Sequence, residues 1–172
     1  MASDEDLVAA VALGSESAFS ELLGRHERPL AGFLRRQLGD ADAEDVFQEV
    51  WIRVARGAPG FDVSRRFKPW LYGIALNEIR DWLARRGRAR ELPLEANDVP
   101  DPRGGATGAG VDVERLLSTL PKEQRDVLIL RYQLDLSESE IAEALDVPRG
   151  TVKSRSHAAL ARLAELVKPK EG

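Results

Sequence analysis

With 172 residues, 43% of them hydrophobic and 31% charged, the chain holds enough apolar content for one ordinary domain or two small ones, and two is the expectation. It contains no cysteine, which excludes a disulfide framework and any thiolate metal site. The net charge of −4 conceals a segregation by segment: residues 1–60 carry 6 basic and 11 acidic groups, residues 61–90 carry 8 and 3, residues 91–147 carry 5 and 13, and residues 148–172 carry 6 and 2. Charges farther apart than about 8–10 Å are largely screened, so the two cationic segments attract phosphate locally despite the acidic total.

The first residues, MASDEDLVAAVALGSES, are acidic ahead of a short apolar patch, unlike a secretion signal, and no stretch reaches the length of a membrane span. A cytoplasmic protein without direct membrane insertion is therefore expected. Periodicity is helical nearly throughout and no run alternates as a strand, which predicts an all-α fold. Ser3 precedes a short helix to about Leu13, and Ser15 caps a second. The second carries Phe19, Leu22, Leu23, Leu30, Phe33, Leu34 and Leu38 at helical spacing until Gly39, and Pro29 is expected to kink or interrupt it. His26 falls on that apolar stripe and reads as a packing residue. A third helix, about Ala41 to Arg56, sets Val46, Phe47, Val50, Trp51 and Val54 on one face and polar groups on the other. The fourth begins near Phe67, tolerates Pro69 in its first turn, and runs past Trp82 towards Arg86. Its buried stripe is expected to include or border Trp70, Leu71, Ile74, Ile79 and Trp82. These four helices form the expected first domain, residues 1–90.

Between Arg65 and Arg90, the run RRFKPWLYGIALNEIRDWLARRGRAR sets two tryptophans, a tyrosine, a phenylalanine and an asparagine among eight basic residues. That mixture suits single-stranded nucleic acid, because cations hold phosphates while aromatic faces and amide edges receive unstacked bases. Trp70 and Trp82 read more readily as core than as stacking partners. Residues 91–110 lose the periodicity and collect proline and glycine, the composition of a flexible linker. Neither a preceding strand nor a following Gly-Lys-Ser/Thr supports a phosphate loop there.

The second domain, residues 111–172, has a helix opened by Pro121 with Val127, Leu128, Leu130 and Arg131. Ser137 and Glu140 form a capping box for a short helix that turns Ile141, Ala142 and Leu145 inward, and Asp146, Val147 and Pro148 make a turn. A last helix buries Val152, Ser156, Ala159, Leu160 and Leu163. Gly150, Ser154 and His157 then point away, with Lys153 and Arg155 on the flanks, and the small Gly150, Thr151 and Ser154 allow close approach. This is a helix-turn-helix whose exposed face suits a major groove.

Both halves together resemble one family, the bacterial RNA polymerase sigma factors of the extracytoplasmic-function (ECF) group. DAEDVFQEVWIRV resembles the family's polymerase-binding helix, and FKPWLYGIALNEIRDWLARR its promoter-melting and minus-ten recognition segment. LPKEQRDVLILRYQLDLSESEIAEALDVPRGTVKSRSHAALARL resembles the domain that reads the minus-thirty-five element. The resemblance implies that Asp45, Gln48, Glu49 and Arg53 dock on core RNA polymerase. It implies that Asn77 holds a flipped minus-ten base, that Phe61 lies in the adjacent specificity loop, and that Arg80, Arg85, Arg86 and Arg88 meet phosphates. It also implies that Arg149, Gly150, Thr151, Lys153, Ser154, Arg155 and His157 meet the minus-thirty-five duplex. The partners implied are core polymerase, promoter DNA as duplex and melted strand, and an anti-sigma factor.

A helix-turn-helix regulator of duplex DNA, with the first domain as an effector module, is the alternative. An enzyme fits poorly, since His26 and His157 have no ligand or triad partners by spacing, and no cofactor or metal is expected.

Overall fold

The structure, a computed structural model, describes residues 1–91 and 113–168, with the backbone alone for residues 88–91. The expected linker therefore falls, apart from its first residue, outside the described residues, and so does the side chain of Arg88. The chain divides into two units, Met1–Pro102 and Arg103–Gly172. Every described element is helical.

In the first unit, α1 (Asp4–Ala12) starts at a capping box in which Ser3 Oγ accepts from the Asp6 amide and Asp6 accepts from the Ser3 amide. α2 (Glu16–Leu38) is capped by Ser15 and stops at Gly39, whose φ of 78° is where glycine costs least. Pro29 does not interrupt α2. The helix buries Leu22 before the proline and Leu30, Phe33 and Leu34 after it, and this burial on both sides outweighs the roughly 3 kcal/mol cost of an internal proline. α3 (Asp40–Gly57) contributes Val46, Val50, Trp51 and Val54 to the same core, and a 3₁₀ turn (Ala58–Gly60) leads through residues 61–66 to α4 (Phe67–Glu91). α4 extends beyond the expected end near Arg86, and its inner face holds Leu71, Tyr72, Ala75, Leu76 and Ile79. Where α3 ends, the Trp70 ring lies against Gly57, and a β-carbon on that glycine would sit 3.0 Å from the indole.

His26 does more than pack. Its Nε2 lies 2.6 Å from Asp4 Oδ2, while Arg25 donates to Asp4 Oδ1 at 2.9 Å, so α1 is tied to α2 by one carboxylate. Partial burial works to raise the Asp4 pKa, but hydrogen bonds from Arg25 and His26 prevail and hold it below the ordinary carboxylate value.

The second unit contains α5 (Val113–Ser118), α6 (Lys122–Tyr132), α7 (Glu138–Leu145) and α8 (Arg149–Val167). The short α5 had no separate signal in the sequence. α7 begins at the anticipated capping box of Ser137 and Glu140, and Asp146 ends it in the left-handed conformation at φ 53°. Leu120, Leu128 and Ala159 form a buried cluster flanked by Leu117 and Leu163. Leu160 departs from expectation and is exposed, because Val152, Ser156 and Ala159 define a narrower inner stripe on α8.

A depressed carboxyl pKa stabilises the fold above the unfolded value, about 3.9, and that contribution disappears as pH falls through the folded value. Asp4→Asn is therefore expected to cost the first unit about 1–2 kcal/mol at neutral pH, with the gap to the unmodified chain closing below about pH 4. All three tryptophans lie in that unit, so urea titrations followed by tryptophan fluorescence check both statements.

Candidate nucleic-acid and partner interface

The site in the first unit is built by two helices that bury one side each. α3 turns Asp45, Gln48, Glu49 and Arg53 outward, opposite the buried Val46, Val50 and Val54. α4 turns Asn77, Arg80 and Arg85 outward for the same reason, its inner face being filled by Leu71, Ala75 and Ile79. Between them lies an open groove of about 670 Å³. Asp42, Asp45, Gln48 and Glu49 line it from α3, and Trp82, Arg85 and Arg86 from α4. Asp45, Gln48 and Glu49, three of the four residues expected to meet polymerase, thus share one depression of opposed charge with two of the arginines expected to meet DNA, whereas Arg53 is not part of its lining. Asn77 and Phe61 are not part of its lining.

The arginines differ in how they are held. Arg85 is exposed, its guanidinium 5.9 Å from the Trp82 ring centroid, an arrangement in which the cation remains available to an anion. Arg86 instead pairs with Asp42 of α3. Arg80 donates to the Asn77 side-chain oxygen at 3.1 Å, which holds the exposed amide at the helix surface. Arg53 is engaged as well: its guanidinium pairs with Glu78 and reaches Asp81 at 3.3 Å, so it bridges α3 to α4. The Glu78 side chain is 2% exposed, and burial pushes its carboxyl pKa up against the pull of Arg53.

The aromatic residues of the basic run sort by burial, and the structure corrects the idea that they serve broadly as stacking faces. Phe67 and Tyr72 are buried, Tyr72 edge-on to Phe33 at 5.3 Å, and burial pushes its phenol up to about 12. Trp70 and Trp82 are half-buried. Phe61, also half-buried, packs 4.7 Å from the Trp70 ring and 6.4 Å from Phe67. It anchors the loop that Asp62 closes by accepting from the Ser64 amide at 2.9 Å and the Ser64 hydroxyl at 2.7 Å.

In the second unit, α8 presents Arg149, Gly150, Lys153, Ser154 and His157 as exposed residues, with Thr151 and Arg155 half-buried at the edges. Ser154 Oγ donates to the Thr151 carbonyl at 3.1 Å and keeps its lone pairs outward. Arg149 lies 3.9 Å from Glu138 of α7, which steers it from the helix end. Sequence reasoning missed the pairs Arg53–Glu78 and Asp42–Arg86, because residues this far apart in the chain are joined only by the packing of α3 on α4.

A helix-turn-helix in one unit and, in the other, a helix that turns an amide and arginines outward define a DNA-binding transcription protein. The Sigma-70 region 2 family matches residues 22–89, and the Sigma-70 region 4 family matches residues 111–163. The ECF RNA polymerase sigma-E factor of Haemophilus influenzae is 30% identical over 183 residues, covering 96% of this chain and 96% of that protein. Among solved structures, CnrH in complex with the cytosolic domain of CnrY shares 28% identity at a TM-score of 0.70, covering 95% of this chain and 96% of CnrH. The sigma factor RpoE in complex with the anti-sigma factor NepR from Bartonella quintana shares 25% identity at a TM-score of 0.66, covering 89% and 98%. The chain belongs to the ECF sigma factors of the sigma-70 family. Among the described residues, no helix is long and apolar enough to cross a membrane.

Removing Arg53 leaves Glu78 buried without its cation. Arg53→Ala is expected to cost about 1–3 kcal/mol at neutral pH. With the Glu78 pKa raised further, this loss grows as pH rises through the folded value and shrinks as pH falls below it. Adding Glu78→Gln to that variant should recover much of the loss, as urea titrations at two pH values will reveal.

Proposed function

We propose that the chain is a promoter-specificity subunit without catalytic activity of its own, working in the cytoplasm on core RNA polymerase. Asp45, Gln48 and Glu49 of α3 dock on the polymerase. Phe61 and Asn77 take up the minus-ten element, and Arg80, Arg85 and Arg88 hold the adjoining backbone. Arg149, Gly150, Thr151, Lys153, Ser154, Arg155 and His157 face the minus-thirty-five duplex. The observation that carries this reading is the exposed carboxamide of Asn77 on a cationic helix whose opposite face is locked in the core. An amide both donates and accepts, which suits a base edge. Capture of unstacked bases at roughly 1–3 kcal/mol each offsets the few kcal/mol needed to unstack them.

Two expected contacts acquire an extra step. Arg86 reaches phosphate only by exchanging Asp42 for it, and Arg53 serves polymerase docking by holding α3 against α4. The polymerase-facing acidic side of α3 is also a surface for an inhibitor, and the complex of RpoE with an anti-sigma factor supports such a partner here.

The test is to mix purified chain with bacterial core polymerase and genomic DNA and to sequence the RNA 5′ ends. Selective start sites are expected; their absence, with duplex binding retained, favours a plain helix-turn-helix regulator. Asn77→Ala is expected to change preference at one minus-ten base, at about 1–3 kcal/mol of discrimination. Arg85→Ala weakens binding to all sequences and lowers the salt slope by roughly one unit, measured by titrations at several salt concentrations. Glu49→Arg is expected to weaken polymerase binding about tenfold or more in competition assays while urea titrations give an unchanged fold.

A further inference from the structure

The geometry points to α1 as a specificity element, with Glu5 as the positioning residue for the loop 61–66 and the start of α4. The matched Sigma-70 region 2 begins at residue 22, so α1 lies ahead of it. Even so, Glu5 Oε1 accepts from the Phe67 amide at 2.9 Å, taking one of the unpaired N–H groups with which every helix begins. The same oxygen lies 3.8 Å from Arg66 Nε, which ends the loop. A residue 62 positions away thus does for α4 what a local cap does for α1 and α7.

The contact bears on recognition through Phe67. That residue is buried, with the His26 ring 5.1 Å away on one side and Phe61 and Trp70 at 6.4 and 5.9 Å on others. Phe61 is the loop's aromatic anchor, and Asn77 lies ten residues along the same helix. α1 is itself held firmly: Leu7 and Val8 are buried, and Asp4 engages Arg25 and His26. Glu5 is therefore a fixed acceptor that sets where α4 starts and how Phe61 approaches it. Without it, the Phe67 amide loses its partner and the loop loses its charged tie through Arg66, while the core beneath remains. The consequence is a change in which base is preferred, beyond any general loss of stability. The inference rests on the proposed role of Phe61 and Asn77 at the minus-ten element.

The experiment uses the full chain with core polymerase on a promoter library randomised across the minus-ten element, comparing Glu5→Ala, Glu5→Gln and Ser3→Ala with the unmodified chain. Glu5→Ala is expected to alter the ratio between bases at one or two positions by about three- to tenfold, the range a lost helix cap carries. Glu5→Gln stays within about twofold, since its amide oxygen still accepts the Phe67 N–H at little loss. Ser3→Ala removes the cap of α1 itself without touching α4, and its base ratios are expected to match the unmodified chain. An equal drop at every library member for Glu5→Ala, or the same altered ratios for Ser3→Ala, overturns the inference while leaving the functional reading intact. No selective initiation by the unmodified chain overturns both.

Discussion

The direction in which α4 turns Asn77 and its arginines depends on this helix having no rotational freedom. Phe67, Leu71 and Ala75 retain no accessible surface, and Leu76 and Ile79 very little, so the first half of this helix is clamped along one side by α2 and α3. A slip of one residue turns a helix by about 100°, enough to bury Asn77 and expel Leu71. Burial of each such side chain is worth roughly 1.5–3 kcal/mol, so the core opposes that slip many times over. The outward direction of the Asn77 amide is thus inherited from the buried apolar stripe on the other side of the helix. α8 follows the same rule on a smaller scale, with Val152, Ser156 and Ala159 fixing which residues face out.

Charge adds a second layer. Arg53 of α3 pairs with Glu78 and Asp81 of α4, and Asp42 of α3 pairs with Arg86 of α4, so ion pairs of both senses cross the helix seam. Half-exposed pairs contribute modestly to stability, typically below about 1 kcal/mol. The Arg53–Glu78 contact differs because its carboxylate is buried, so its loss leaves a charge with no water to replace the cation. The pairs also distinguish arginines of equal sequence merit: Arg85 remains open to an incoming anion, whereas Arg86 must first part from Asp42. On the proposed reading, polymerase docking on α3 and DNA contact along α4 would therefore act on the same seam.

Much of the fold was readable because its signals are local. Ser3 and Ser137 each stand three residues before an acidic partner, Ser15 opens α2, and Gly39 closes it, so helix starts and stops follow from the chain alone. The all-helical character and the turn at Asp146 were equally visible in the periodicity. What escaped were properties set by neighbours distant in sequence. Tyr72 and Phe67 look like stacking groups in a basic aromatic run, and the packing of other helices against α4, with Phe33 and His26 of α2 on the two rings, buries them. Pro29 looks like a break until the apolar residues on both sides share one core. Leu160 fits a hydrophobic stripe by spacing, yet α6 and α7 cover only a narrower arc of α8. The candidate site residues stood out individually, but their pairing did not, since His26 with Asp4 and Arg53 with Glu78 meet only after helices pack.

The tryptophan resting on Gly57 has an evolutionary corollary. With 3.0 Å between a would-be methyl and the indole ring, even the smallest side chain must shift Trp70, against which the tilted Phe61 ring packs. The exposed residues 62–66 carry no comparable steric bar. Descendants of this chain are thus freer to diversify the tip of the loop than its root, a division of mutational tolerance that leaves the frame beneath unaltered.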